Sequence, residues 1–292
     1  MRKSNRIWYV VLLAPTIILF LLIYAIPVVT VFTTSFCEWK LLVKPHFIGL
    51  QNYINLFTAD KDFVVALKNT VLWVLLQSTV HVALGVIIAL ILSKKMRGWK
   101  FVRTSYMLPT IMSTSARALV FIAVFNPEYG VLNSILRLFL GESFQHNWYF
   151  DPKTCLFTVT TGWIFYAGTI MVMVMAEIVS IPESLIEAAR IDGATSAQID
   201  RMIILPLLRN VIGTSVILAA TSMLKEFEMI FLTTKGGPLN YTYNMPLYLY
   251  KTSMMSNDYG YANTIGTLLI CVGVVVVVVT VSYTHLRAHE TC

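Results

Sequence analysis

Six stretches of the sequence are apolar over about the length of a membrane crossing, and polar segments separate them. They comprise residues 7–32, 70–92, 105–125, 156–176, 211–232 and 263–283. A hydrocarbon core of about 30 Å needs about 20 apolar residues in a helix, and a helix satisfies its own backbone groups in lipid. The pattern therefore predicts an all-α integral membrane protein with six transmembrane helices.

The composition agrees with this interpretation. Of the 292 residues, 57% are hydrophobic and only 13% are charged, whereas a soluble domain carries about 25% charged residues. A chain with so few charges could not cover a soluble surface, so lipid must be most of its solvent. The four cysteines lie far apart and show no CxxC spacing, which indicates packing residues and no metal or disulfide framework.

The placement of lysine and arginine predicts the orientation. Three cations precede the first apolar stretch, and residues 93–104 hold five cations and no acidic residue. Cytoplasmic loops are enriched in both residue types, so six crossings would place both termini and residues 180–209 in the cytoplasm. The first stretch exceeds the roughly 7–15 residues of a signal-peptide core, and we expect a retained anchor.

The segment between the fourth and fifth stretches is patterned as a folded unit. Pro182 suits the first position of a helix, and Gly193 can end that helix in the left-handed conformation. Residues 195–198 (Thr-Ser-Ala-Gln) form a capping-box pattern that would start a second helix running on past Pro206. Two short helices with a sharp bend are therefore predicted.

The first of these helices has a mixed surface. Leu185, Ala188 and Ala189 share one stripe, and Glu187 and Arg190 lie beside it. The pattern alone leaves open an interfacial amphipathic helix that only organises the loop. A DNA-reading helix-turn-helix is disfavoured, because a loop of 30 residues held at both ends could hardly enter a groove.

The same segment resembles a known motif, residue for residue. Glu187-Ala-Ala, then Gly193 after three residues, then Ile203-Ile-Leu-Pro206 after nine, match the EAA loop of binding-protein-dependent ABC importer permeases. The resemblance reaches nearly the whole chain, up to about residue 281. Six further pieces resemble the sugar-permease branch in the same order: residues 14–15 with 24–27, 47–53, 67–70, 108–109, 125–133 and 236–238.

The resemblance implies the transmembrane domain of a type I ABC importer. Residues 1–65 would form an N-terminal transmembrane helix and the first extracytoplasmic loop. Residues 66–283 would form the permease core, with the coupling loop at about 180–208. Residues 284–292 stand where the family has a basic cytoplasmic end, and we interpret them as an appended, non-native tail.

In that family the EAA loop forms a coupling helix that docks into a groove on a cytoplasmic ATPase. No GxxxxGK[ST] phosphate loop occurs in the sequence, so we expect this chain to be no enzyme and to bind no cofactor. ATP would bind to the partner subunit. The resemblance implies a coupling role for Glu187, Ala188, Ala189, Arg190, Asp192, Gly193, Leu205 and Pro206.

The resemblance also implies partners and a location. The partners would be ABC ATPase subunits, a second and different permease subunit, and an extracytoplasmic solute-binding protein, in a bacterial cytoplasmic membrane. No nucleic acid is expected. The substrate would be an oligo- or monosaccharide, with glycerol phosphate or another small solute as the alternative. A stand-alone secondary carrier would show inverted repeats or paired broken helices, and the sequence shows neither.

Charges inside the apolar stretches are candidates for a substrate path, because each costs about 2.5–3.5 kcal/mol on insertion scales. The fifth stretch holds Lys225, Glu226 and Glu228, and the third holds Arg117 at a similar predicted depth. Phe227 could stack on a sugar ring, and Lys225 and Glu228 would share a helical face. An internal ion-pair network that packs the helices is the open alternative.

Three other polar or aromatic residues lie within the apolar stretches. His81 is one turn from Gln77, and we expect it to hydrogen-bond a neighbouring helix. Trp163 is a second candidate for stacking on a sugar.

Overall fold

The computed structural model describes residues 2–289, and most of them are helical. Pro27 lacks a helical N–H donor and crowds the carbonyl four residues earlier, and that carbonyl lies in a wider π-helical turn. The helix therefore continues past the proline, and Val11–Thr34 is long and apolar enough to cross a membrane. Its three parts are α1 (Arg2–Phe20), the π turn (Leu21–Ala25) and α2 (Ile26–Thr34).

A short hairpin and a short helix follow. They are β1 (Cys37–Glu38), β2 (His46–Phe47) and α3 (Gln51–Thr58). The two strands are antiparallel, with Cys37 opposite Phe47 and Glu38 opposite His46. The second crossing then comprises α4 (Lys61–Leu76), a π turn (Gln77–His81) and α5 (Val82–Ser93).

The third crossing is bent. Its two helices, α6 (Trp99–Ile111) and α7 (Thr114–Val124), meet at 104°. The stretch 105–125, predicted as one helix, is instead broken because Met112 and Ser113 are extended. The Ser113 hydroxyl accepts a hydrogen bond from the Ala116 N–H (3.2 Å) and so caps α7.

The fourth crossing and the loop after it contain several short helices. α8 (Val131–Leu140) precedes the crossing, which consists of α9 (Cys155–Ile164) and α10 (Gly168–Ser180) with three non-helical residues between them. The loop then forms four elements: α11 (Glu183–Ile191), α12 (Ser196–Ile199), a π turn (Asp200–Ile204) and α13 (Leu205–Leu207).

The fifth predicted stretch, 211–232, is also interrupted. α14 (Arg209–Met223) is bent by 67° from the segment Ser196–Leu207, and four non-helical residues separate it from α15 (Glu228–Thr233). The last elements are α16 (Met245–Tyr250), a π turn (Lys251–Met255) and α17 (Tyr259–His289).

Six crossings result when each bent pair counts as one, as predicted. Helix α17 continues through His289, so its backbone enters the segment 284–292. Residues 290–292 of that segment lie outside the described residues.

Three buried asparagines, each from a segment that resembles the family, fix the connections between helices. Each carboxamide nitrogen donates to two backbone carbonyls, which satisfies loop groups that lack a helical partner. The bonds are 2.7–3.1 Å long: Asn52 to Ser35 and Cys37, Asn69 to Tyr241 and Tyr243, and Asn133 to Pro127 and His146.

The described chain forms two compact units. One holds the residues up to Phe63 together with Tyr248–Cys271, and the other holds Val64–Leu247 together with the residues from Val272 onward. In the first unit, the Asp60 carboxylate accepts hydrogen bonds from the Tyr248 and Tyr261 hydroxyls. The division into residues 1–65, 66–283 and 284–292 stays a prediction.

In the second unit, α5 and α10 pack at close range because of Gly85. A Cβ atom at Gly85 would lie 2.7 Å from Ile170 Cγ2 and 3.2 Å from the Ala167 Cβ, whereas packed carbons lie about 3.5–4.0 Å apart. The buried side chains of Ala89, Met171 and Val174 belong to the same apolar core. Glycine is therefore required where the two helices touch.

We expect Gly85→Ala to lower the thermal unfolding midpoint of the purified chain in detergent, because overpacking costs about 1–3 kcal/mol. Gly273→Ala is the matched control, since its Cβ would lie 3.5 Å from the nearest atom, Leu224 Cδ1. The control should keep or raise the midpoint, because alanine favours helix by about 1 kcal/mol over glycine. Equal midpoints for the two variants would contradict the close contact.

Candidate functional site

The loop between the fourth and fifth crossings folds into the predicted pair of short helices. Gly193 has φ +81° and ends α11. The Ala194 N–H donates to the Ala189 carbonyl (2.9 Å) and the Gly193 N–H to the Arg190 carbonyl (3.1 Å), the two bonds of a Schellman motif. Pro182 occupies the N-cap position, one residue before the predicted one.

The second helix begins with the predicted capping box. The Gln198 N–H donates to the Thr195 hydroxyl (3.4 Å), and the Thr195 N–H donates to the Gln198 side chain (2.8 Å). Helix termini are thus satisfied within the loop itself. The two ends are locally determined, and the bend between the helices has a fixed geometry.

The predicted stripe of α11 is divided in the structure. Ala189 is half-buried and packs, with Ile186, against the apolar core, whereas Ala188 and Leu185 are exposed. Ile186 and Ala189, three residues apart, therefore form the packed face of α11. Exposed Glu187 lies on the outward side with Ala188.

The other predicted coupling residues fall into two groups. Arg190, Asp192, Gly193 and Pro206 are exposed. Leu205 is half-buried and packs against the core. The first group is available to a partner, and the second, with Ala189, attaches the loop to the bundle.

Two large apolar side chains on this loop were not anticipated from the sequence. Ile191 is 86% exposed and Met202 is 71% exposed. Both side chains lie on the loop to which the resemblance assigns ATPase coupling. Ile191 is the last residue of α11, so no following helical turn covers its side chain.

An ion pair joins this loop to the basic loop between the second and third crossings. Lys94 Nζ lies 2.7 Å from Asp200 Oδ2. A partly exposed pair contributes only about 0–1 kcal/mol, so it connects the two loops without adding much stability.

Side chains from other helices satisfy the backbone carbonyls at the break in the fourth crossing. The His81 Nδ1–H donates to the Ile164 carbonyl (3.0 Å), and the Tyr106 hydroxyl donates to the Phe165 carbonyl. These carbonyls lack helical partners because α9 ends there. The prediction that His81 hydrogen-bonds a neighbouring helix is confirmed.

The break in the fifth crossing changes the roles of the predicted charges. The Glu226 carboxylate accepts a hydrogen bond from the Met229 N–H (3.0 Å) and caps α15. Glu228 accepts from the Ser115 hydroxyl. Lys225 is exposed and non-helical, so the prediction that it shares a helical face with Glu228 is wrong.

A cavity of about 190 Å³ lies beside both breaks. Arg117 and Glu226, two of the predicted path residues, both line it, whereas Lys225, Phe227 and Glu228 do not. The Phe227 ring stacks instead on Phe231, with centroids 5.0 Å apart. The remaining lining residues are Gln77, His81, Trp163, Tyr166, Ser222 and Met223.

Three buried polar atoms of the cavity lining have no hydrogen-bond partner among the described residues. They are Gln77 Oε1, Arg117 Nε and Trp163 Nε1. Buried polar groups are almost always hydrogen-bonded, so a cavity with one acceptor and two donors left over suits a polar ligand. Trp163 was anticipated only as a stacking ring, and Gln77 was not anticipated as part of a site.

Residues 81–290 match the family described as binding-protein-dependent transport system inner membrane component. The chain belongs to this family. The permease is 31% identical over 280 residues to a probable ABC transporter permease protein of Pyrococcus horikoshii, covering 95% of this chain and 96% of the relative. It is 31% identical over 275 residues to the multiple sugar-binding transport system permease protein MsmF of Streptococcus mutans, covering 93% of each.

Solved structures agree with the family assignment. The permease superposes with a TM-score of 0.84 on a chain of a bacterial ABC transporter involved in the import of the acidic polysaccharide alginate, at 25% identity, covering 97% of this chain and 96% of the other. The MetNI methionine ABC transporter shares the fold, with a TM-score of 0.53, 16% identity, and coverage of 76% and 94%.

These findings confirm the type I ABC importer transmembrane fold. The permease is an inner membrane transport component rather than an enzyme, and its family implies an ATPase, a second permease and a solute-binding protein as partners.

We expect Tyr106→Phe to speed amide hydrogen exchange in residues 165–168, because it leaves the Phe165 carbonyl unsatisfied at a cost of about 1–3 kcal/mol. Tyr129→Phe is the control, since that side chain is exposed. Unchanged exchange in the Tyr106 variant would show that the hydroxyl does not hold the break.

Proposed function

We propose that this permease forms part of the translocation path for a carbohydrate in an ATP-driven importer. The observation that carries the proposal is the cavity lined by Gln77, Arg117 and Trp163, whose Oε1, Nε and Nε1 atoms have no hydrogen-bond partner among the described residues. Sugar hydroxyls both donate and accept, and these atoms offer both complements in a buried site. Relatives are named for transport of multiple sugars and starch degradation products, which supports the substrate class.

The cavity size supports sequential contact with the substrate. Pockets that enclose a drug-sized ligand measure about 300–1,000 Å³, and this one has about 190 Å³. It would therefore hold one sugar unit of a longer chain at a time. Glycerol phosphate remains the second candidate, because Arg117 could pair with a phosphate.

We propose that the exposed side of the coupling loop docks into the ATPase. Glu187 would make a charge-assisted contact with a basic residue of the partner, and Ala188 would permit close approach. Ile191 and Met202 would supply apolar contact area. The caps at Gly193 and Thr195 support transmission of ATPase movement as a rigid-body shift, with ATP bound by the partner and no cofactor by this chain.

The proposed orientation has both termini in the cytoplasm. The five cations of residues 93–104 support it, as does the Lys94–Asp200 pair, which joins that loop to the coupling loop on one side of the membrane. We propose that the second permease is a different chain and that the solute-binding protein docks on the opposite face.

Glu187→Lys should reduce uptake into proteoliposomes by at least about thirtyfold, because losing one partner of a buried charged contact costs about 2–5 kcal/mol. Gly193→Pro should act similarly, since proline cannot adopt φ +81°. Glu142→Lys, on an exposed residue outside the coupling loop, controls for the added charge. Full uptake with full ATPase copurification in both coupling variants would refute this role.

Arg117→Gln should change the relative uptake of different sugars by about tenfold, because one hydrogen bond to a charged group contributes about 1.5–3 kcal/mol. Lys225→Gln is a charge-matched control, since Lys225 does not line the cavity. The assay compares glucose-, galactose- and uronate-containing oligosaccharides. An equal loss for every sugar would indicate that Arg117 only packs the bundle.

A further inference from the structure

A second cavity, of about 560 Å³, lies where the second and fourth crossings end. Its apolar wall includes Val172, Met175 and Val179, and Val179 is 79% exposed. Trp99, at the first position of α6, also lines the cavity. Tryptophan concentrates at the membrane–water interface, so the cavity has the position and polarity of a site at that boundary.

The polar side of this cavity is cationic. Lys95 and Arg103 line it, and the one acidic residue in the lining is Glu183. Lys94, next in sequence to Lys95, is already paired with Asp200. Two cations therefore face one carboxylate, which leaves a net positive charge beside an apolar wall.

We propose that this cavity binds an anionic phospholipid, with its phosphate between Lys95 and Arg103 and an acyl chain along Val172, Met175 and Val179. Basic pockets between transmembrane helices on the cytoplasmic side bind such headgroups. A soluble anion would use only the cations, whereas a lipid also covers the apolar wall. The charge and the adjoining apolar surface together favour the lipid.

The bound lipid would reach the coupling loop. Glu183 and Ile186, at the start of α11, line the same cavity. An anionic headgroup held there would therefore link the lipid composition of the cytoplasmic leaflet to the helix that we propose docks on the ATPase. This regulatory consequence rests on the proposed coupling function and orientation.

The test uses the whole importer complex in nanodiscs of phosphatidylcholine with or without phosphatidylglycerol. Native mass spectrometry measures retained phosphatidylglycerol, and coupled ATPase activity is recorded on the same samples. Lys95→Gln and Arg103→Gln should each weaken lipid retention by about fivefold, the effect of one charge near an anionic surface. Arg97→Gln, in the same loop but outside the lining, should retain the lipid as the wild type does.

Equal retention of phosphatidylglycerol in the wild type and the three variants overturns the site. Inorganic phosphate that fully reproduces the lipid's effect on ATPase activity in phosphatidylcholine discs also overturns it. Reduced ATPase copurification in the Lys95 and Arg103 variants, with lipid retention unchanged, would assign the cavity to the ATPase. Failure of carbohydrate uptake in proteoliposomes, with lipid retention in nanodiscs intact, would instead count against the proposed function alone, because lipid binding is measured without transport.

Discussion

Hydrocarbon offers no partner to a backbone carbonyl or amide, and this constraint governs how the permease can depart from straight helices. The fourth crossing stops being helical after Ile164 and the fifth after Met223. At the first break, His81 and Tyr106 take up the freed carbonyls. At the second, the Asn244 carboxamide donates to the Glu226 carbonyl. Polar side chains therefore enter the membrane interior as structural partners before they have any role toward a substrate.

The same constraint explains why the cavity is polar. His81, which satisfies the Ile164 carbonyl at the first break, and Glu226, which caps α15 at the second, both line the cavity. Gln77 Oε1, Arg117 Nε and Trp163 Nε1 line the same space and have no hydrogen-bond partner among the described residues. A permease that moves hydrated solutes needs a lining of this kind, and interrupted helices provide one without placing a full charge against lipid.

Hydropathy and local end signals predicted the parts of the structure that depend on short-range chemistry. Six apolar stretches gave the crossings, and the ends of α11 and α12 followed from Gly193 and the Thr195–Gln198 pair. The breaks could not be predicted this way, because the apolar pattern continues through Met112 and the charges at Lys225 and Glu226 were interpreted as path residues on a continuous helix. The cavity could not be predicted either, because its lining comes from four distant parts of the chain. Of the lining residues, only Arg117 and Glu226 carry a charge that identifies them in the sequence.

The contact at Gly85 has a mechanical consequence. Helix α5 begins directly after His81 and α10 begins shortly after Ile164, so one end of this pair holds the cavity. The other end of α10 leads into the coupling loop. No side chain separates the two helices at Gly85. We therefore expect α5 and α10 to move as one rigid body and not to slide past each other. A displacement of α11 would then be transmitted through α10 and α5 and would change the geometry of the His81–Ile164 hydrogen bond beside the cavity.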